Sequence, residues 1–289
     1  MQALIFYAVY PFIILVAHLP FDGLYLISDL LYYLLRWSGY RREVVLRNLH
    51  HSFPEKTPAE IRLISQNYYR YLCDLILEIL KTMNMSEEES RKRCIFHSTD
   101  WLDKFHEDGQ SFIIVMGHYG NWEWAGPSFT LNTRHQLFVI YRPLSNPYFE
   151  KMMCRMRTRF GTKITPVNQT LRDMVANRKQ LTATAFIADQ SAKKKDAYWT
   201  TFLQQDTAVF TGPEKLAVKF NYPVVFMNVQ RPRRGYYEVF PELLISSPDK
   251  TSENEISEAF MNRLEQEIIR DPTIWLWSHR RWKHRRKSS

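Results

Sequence analysis

The sequence predicts an α/β fold with a mostly parallel central sheet flanked by helices, preceded by an apolar helical segment. Three observations carry this. From Phe112 onward, short apolar and β-branched runs alternate with helix-length stretches, as in a parallel sheet covered on its faces. Two successive strands, 223–229 and 236–246, add an antiparallel edge. Before Phe112 the chain is helical in pattern throughout, and its first 40 residues are strongly apolar.

Residues Ala3 to Leu19 carry no formal charge beyond a protonatable His18. A helix of that length spans about 25 Å at ~1.5 Å per residue, against a hydrocarbon core of roughly 30 Å, and Pro11 weakens a straight span. A second apolar stretch, Leu24 to Trp37, is interrupted only by Ser28, Asp29 and Arg36. Together they read as a membrane-seated hairpin or one long interfacial helix, the alternative being two ordinary core helices. A cleavable signal is disfavoured by the missing basic start and small-x-small site. Arg36, Arg41, Arg42 and Arg47 place the remainder of the chain on the cytoplasmic side. The expected division is an anchoring segment over 1–40 and a catalytic domain over 41–289, with a basic tail from about 279.

Thr57-Pro58-Ala59-Glu60 combines an N-cap, an N1 proline and an N3 glutamate, which starts a helix running to about Met83. Its Ile61, Ile64, Tyr68, Tyr71, Leu75 and Leu77 form a core face. Asp74 and Glu78 on it read as a solvated edge rather than a dyad. Ser86-Glu87-Glu88-Glu89 repeats the cap before a short helix. The predicted order is then strand 112–116, helix from about 122, strand 136–141, helices 147–160 and 169–178, and strand 181–187. After a loop come helix 213–220, strands 223–229 and 236–246, and a helix over about 253–270. No repeat, low-complexity run or Gly-rich phosphate loop is present.

The chain has 289 residues, enough for a sizeable core, and its 45% hydrophobic and 15% aromatic content is rich for a soluble domain. Cys73, Cys94 and Cys154 are odd in number and widely spaced, which points to a reducing compartment without a zinc ribbon. Six cations between His279 and Lys287 account for most of the net charge of +9. Such a tail suits an anionic lipid surface, an acidic carrier protein or nucleic acid, or serves solubility alone. The neighbouring Trp275, Trp277 and Trp282 favour the membrane interface.

The chemistry centres on Gly117-His118-Tyr119-Gly120-Asn121-Trp122-Glu123, directly after the first strand. In open α/β sheets, ligands occupy the crevice beyond the carboxyl ends of the strands. Five residues apart on one helix, His118 and Glu123 would be about 140° out of register. A loop-to-helix boundary lets the carboxylate take one imidazole N–H and leave the other nitrogen as a base for a hydroxyl or amine. The alternative is a hydrogen-bonded loop histidine beside a carboxylate favoured by the helix dipole. A metal site is disfavoured because no third ligand lies nearby.

Tyr141-Arg142-Pro143 and Ala188-Asp189-Gln190 also end strands, so they project to the same sheet edge. Arg142 could bind a carboxylate or phosphate, and Asp189 and Gln190 could position acceptor groups, unless Arg142 and Asp189 form a structural ion pair. Thr211-Gly212-Pro213 opens a helix whose free N–H groups can hold an anion or be capped. No Gly-x-Ser-x-Gly elbow exists and no cysteine lies near the histidine, which argues against a covalent acyl-enzyme.

Taken together, Gly117 to Glu123, Tyr141-Arg142-Pro143, Asp189-Gln190, Thr211-Gly212-Pro213 and the segment Trp275 to Lys283 resemble the late lipid A biosynthesis acyltransferases. The resemblance extends from about residue 4 to 287. It implies a fold like that of glycerolipid acyltransferases, with His118 as general base and Glu123 as its orienting partner. Asn121, Arg142, Asp189, Gln190, Thr211 and Gly212 would be substrate-binding residues. It further implies transfer of an acyl group from an acyl carrier protein or coenzyme A thioester to a lipid hydroxyl, such as that of a lipid A precursor. The setting would be the cytoplasmic face of the bacterial inner membrane, with no metal, bound cofactor or nucleic acid. An aminolipid or lysophospholipid acceptor, a lipid-binding scaffold and a thioesterase are the alternatives. Where the family has Phe-Leu-Gly, this chain has Phe202-Leu203-Gln204-Gln205.

Overall fold

The computed structural model describes residues 1–192, 197–284 and 286. A seven-stranded sheet forms its centre, in the order β1-β9-β8-β2-β5-β3-β4. Strands β2 (Phe112–Met116), β5 (Thr182–Ile187), β3 (Gln136–Tyr141) and β4 (Lys163–Pro166) run parallel, and β2 also pairs in parallel with β8 (Val224–Arg233). All five side chains of β2 are buried, which explains its unbroken apolar sequence. Strand β9 (Tyr236–Ile245) returns antiparallel to β8. The expected antiparallel edge lies one strand further in, because the short β1 (Cys94–Phe96) adds outside β9.

Helix α4 (Pro58–Lys81) has the predicted capping box on Thr57 and Glu60, and Ser86 caps α5 (Glu87–Arg93). Helices α7 (Trp122–Asn132), α8 (Pro147–Thr158), α9 (Thr170–Ala176), α10 (Gly212–Phe220) and α11 (Glu255–Arg270) fall where the pattern places them. Helices α3 (Arg42–Ser52) and α6 (Asp100–Glu107), strands β1 and β4, and the β6–β7 hairpin (Ala197–Phe202, Gln205–Phe210) are additions to the expected elements. The hairpin turns through Leu203 and Gln204, both at positive φ (49° and 60°), as a tight primed turn requires. Gln204 stands where the glycine of the Phe-Leu-Gly pattern would be.

The apolar N-terminus forms α1 (Gln2–His18) and α2 (Phe21–Ser38). No helix among the described residues is long and apolar enough to cross a membrane, so a spanning anchor is not supported. One face of each helix packs inward, burying Phe6, Ile13, Ala17, Leu24, Ser28 and Tyr32. Lys81 fastens the corner, its Nζ donating to the carbonyls of Ala17 (3.0 Å) and Leu19 (2.7 Å). The opposite face leaves Leu4, Phe12, Leu15, Leu26, Leu30 and Trp37 more than half exposed.

Asp74 and Glu78 correct the reading of a solvated edge, since both are buried. Asp74 accepts from Ser28 (2.6 Å), Arg231 (2.5 Å) and Arg234 (2.7 Å). Glu78 accepts from Tyr237 (2.6 Å), Tyr25 (3.0 Å) and Asn121 (3.0 Å). Burial raises the Glu78 carboxyl above its ordinary pKa, against the pull of Arg231 and these donors. Trp275 and Trp277 are likewise core residues, 2% and 0% exposed, so neither can lie in a membrane interface. Arg285 and Lys287 of the basic tail lie outside the described residues.

Candidate active site

The loop after β2 is built by close approach. A Cβ on Gly117 would fall 2.7 Å from the Leu264 side chain, and one on Gly120, at φ 60°, 2.7 Å from the Val229 carbonyl. Neither position accepts a side chain without displacing a neighbour. The C-terminal segment then clamps the loop. The Leu276 N–H donates to the His118 carbonyl (3.1 Å), the Gly120 N–H donates to the Ile274 carbonyl (3.0 Å), and Tyr119 bridges Trp275. From α4, the Tyr71 hydroxyl donates to the Gly120 carbonyl (2.6 Å).

His118 does not pair with Glu123. Its Nδ1 lies 2.6 Å from Asp189 Oδ1, and its backbone N–H donates to Asp189 Oδ2 at 2.9 Å. The Trp275 indole N–H donates to the same oxygen (2.8 Å). The reason is topological. β2 and β5 are adjacent parallel strands, so the residues just past their ends meet, whereas Glu123 has already turned into α7. Glu123 binds Arg157 of α8 through two bonds, Nε–Oε2 at 3.0 Å and Nη2–Oε1 at 2.5 Å. The expected orienting carboxylate therefore ties α7 to α8, and Asp189 takes the place beside the imidazole.

Asp189 is 2% exposed. Burial alone would raise its carboxyl, but the His118 charge and the bonds from His118 and Trp275 outweigh it and hold the group down at about 2. With an ionised Asp189 at Nδ1, the proton sits on Nδ1 and the lone pair on Nε2. The Gln190 amide nitrogen lies 3.1 Å from that Nε2, consistent with an N–H donating to it. The Trp122 ring packs edge-on against the imidazole with centroids 4.9 Å apart. The imidazole is thus held on one side and open at its basic nitrogen.

The other expected site residues divide. Asn121 is fully buried; its side chain caps α7 by accepting from Trp124 N–H (3.0 Å) and donates to Glu78, so it holds the loop and faces no substrate. Arg142 is exposed just past β3, on the same sheet edge as His118, and forms no ion pair with the buried Asp189. Thr211 and Gly212 start α10 after the hairpin, where a Cβ on Gly212 would strike the Phe210 ring at 2.2 Å. No hydrogen bond among the described residues joins either to His118 or Asp189. Among those residues no three His, Cys, Asp or Glu side chains cluster as a metal site would need.

Two neighbours went unforeseen. His279 is half-buried beside Ser191, and burial lowers its pKa to about 4, so it is neutral near pH 7. Arg281 is 2% exposed, and none of its guanidinium nitrogens has a hydrogen-bond partner among the described residues. Burial lowers its pKa to about 10 while the field of Asp189 opposes that. Position in a run of basic residues hides such roles, because an arginine run ordinarily marks solvent.

The family model described as bacterial lipid A biosynthesis acyltransferase matches residues 1–284. The chain is 25% identical over 251 residues to the lipid A biosynthesis palmitoleoyltransferase of Escherichia coli (strain K12), covering 85% of this chain and 80% of that protein. It is 24% identical over 248 residues to a lipid A biosynthesis acyltransferase of Haemophilus influenzae, covering 85% and 78%. It is 23% identical over 237 residues to a phosphatidylinositol mannoside acyltransferase of Mycobacterium tuberculosis (strain CDC 1551 / Oshkosh), covering 79% and 72%.

Proposed function

This chain belongs to the bacterial lipid A biosynthesis acyltransferase family, and from that premise we propose how it transfers an acyl group to a lipid acceptor. The observation that carries the reading is the His118–Asp189 pair, 2.6 Å apart with Nε2 facing outward. The acceptor hydroxyl displaces Gln190 from Nε2 and gives up its proton there as its oxygen attacks the carbonyl carbon of an acyl thioester. The carbonyl electron pair moves to oxygen, then returns and expels the thiolate, which takes the proton from the imidazolium. Asp189 remains ionised throughout and stabilises the imidazolium, as the acid does in hydrolase triads. General-base assistance of this kind is worth typically ~10²–10⁴ in rate.

The donor is an acyl carrier protein or coenzyme A thioester acting as co-substrate, without a metal or bound cofactor. The acceptor is a lipid A precursor, and Arg142 at the same edge suits its phosphate. The setting is the cytoplasmic face of the bacterial inner membrane. Attachment is interfacial, through the exposed apolar face of α1 and α2, where each Leu or Phe buried contributes up to roughly 1.5–3 kcal/mol.

Purified protein is incubated with labelled acyl carrier protein or acyl coenzyme A and a lipid A precursor, and the lipids are read by mass spectrometry. Acylated precursor, absent with His118→Ala, is expected. Label released only as free fatty acid would overturn the transfer reading in favour of hydrolysis. Leu4→Glu with Phe12→Glu is expected to release the protein from membranes, and unchanged recovery would refute interfacial attachment.

A further inference from the structure

Acyl transfer leaves unexplained a cleft of about 690 Å³ between α1 and α8, well within the ~300–1,000 Å³ of small-ligand sites. Its floor is apolar. Phe6 is 8% exposed and stacks on Tyr10 with centroids 4.9 Å apart, and Met152 and Met156 of α8 are buried below. Its rim is cationic, formed by Lys151, Arg155 and Arg159. At four-residue spacing these lie one above another along the helix. No carboxylate lines the cleft, and none of the three cations is in an ion pair among the described residues.

A row of like charges at this spacing is mildly destabilising in itself. Arg159 is steadied by one bond, Nη1 to the Thr82 carbonyl at 2.8 Å, while Lys151 and Arg155 stay exposed. At the mouth, the rings of Tyr7 and Tyr148 meet edge-on at 5.7 Å, side chains suited to headgroup depth. The wall is α1, whose remaining surface carries the exposed Leu4, Phe12 and Leu15. An apolar trough under a cationic rim matches a molecule with a hydrocarbon chain and a phosphate.

We propose that this cleft binds an anionic glycerophospholipid from the bilayer, one acyl chain over Phe6 and Met152 and the phosphate on Lys151 and Arg155. The lipid is held rather than consumed, since no histidine, carboxylate, serine or cysteine lines the cleft. The inference is independent of acyl transfer, and its test requires no turnover.

The full chain is examined by native mass spectrometry after mixing with phosphatidylglycerol, and by sedimentation with vesicles of phosphatidylcholine with and without phosphatidylglycerol. Native protein is expected to retain one phosphatidylglycerol. Lys151→Glu with Arg155→Glu is expected to abolish retention and weaken recruitment to the anionic vesicles by at least about tenfold, given ~1 kcal/mol per near-surface cation. The neutral pair Lys151→Gln with Arg155→Gln should fall between, with an unchanged melting temperature. Lys215→Glu with Lys219→Glu on α10 serves as the control. An equal loss in that control would show diffuse surface charge and overturn the proposal, as would retained lipid in the charge-reversed protein. Competition by glycerol phosphate as effective as by the lipid would reduce the cleft to an anion site and overturn it too.

Discussion

Asp189→Asn separates the Asp189 pairing from the Glu123 pairing most sharply. In the native site one carboxylate oxygen accepts from the His118 backbone N–H (2.9 Å) and the Trp275 indole (2.8 Å), while the other takes the imidazole Nδ1 at 2.6 Å. An asparagine keeps the first two bonds with its carbonyl oxygen. Its amide N–H₂ then faces Nδ1, so the imidazole must present a lone pair there and carry its proton on Nε2. The base is then in the wrong tautomer, and the charge that stabilises the imidazolium is gone. The same exchange in a serine-hydrolase triad costs about 10⁴ in kcat, so a fall of roughly 10³–10⁴ is expected here. That corresponds to about 4–5.5 kcal/mol at ~1.36 kcal/mol per decade. Steady-state transfer from a labelled thioester, with kcat and KM resolved, measures it, and His118→Ala/Asp189→Asn should lose little more than His118→Ala alone. A kcat within about tenfold of native, or a loss confined to KM, would refute the reasoning.

Glu123→Gln should act on stability first, because it strands Arg157, whose side chain is only 23% exposed; about 2 kcal/mol is expected, and a denaturation cycle with Arg157→Met should recover part of it. Full additivity of the two changes would contradict the pairing. His279 should make the fold acid-sensitive. Its folded pKa, about 4, lies below the ordinary 6.5, so the unfolded chain binds the extra proton and stability falls as pH drops from about 6.5 toward 4. The loss is on the order of 1–3 kcal/mol after discounting for partial exposure, and urea unfolding at pH 7 and pH 4.5 should show a flatter dependence in His279→Gln; an equal slope would sink the assignment. Gln204→Gly should raise stability by about 0.5–1 kcal/mol, since a left-handed residue without a Cβ relieves strain that outweighs the added chain entropy, and an unchanged or lower melting temperature would speak against a strained turn.

Much of the fold is written in local pattern. The β2 run, the Thr57–Glu60 box and the strand–helix alternation each act within a few residues, so their spacing alone reveals them. Strand β1 and strand β4 are too short for a period to emerge, and the β6–β7 hairpin lacks its usual glycine. Partner choice is harder, because it depends on which strands become neighbours. Glu123 looks like the partner of His118 because it is near in sequence. Asp189, 71 residues away, becomes the partner because β5 is hydrogen-bonded to β2 in parallel register. The sequence does place Asp189 and His118 on one sheet edge, but it carries no signal that they are adjacent on it.

The C-terminal segment shows why a reading by composition fails at this site. Its tryptophans and cations resemble an interfacial tail, yet the backbone of residues 274–276 is stitched to the histidine loop and the Trp275 indole holds the orienting acid. An ionised carboxylate buried this deeply is costly unless its oxygens are fully bonded. Three donors meet that requirement, and two of them, from His118, are the loop's own. The third comes from Trp275, and Arg281, buried without a partner among the described residues, adds a positive field. Removing the indole would therefore do more than leave a cavity. In Trp275→Phe the ring volume largely remains while Asp189 loses one donor, so its pKa should rise and the lower limit of activity should move to higher pH, with the folded fraction little changed. A pH–rate profile identical to native would show that the indole contributes packing alone.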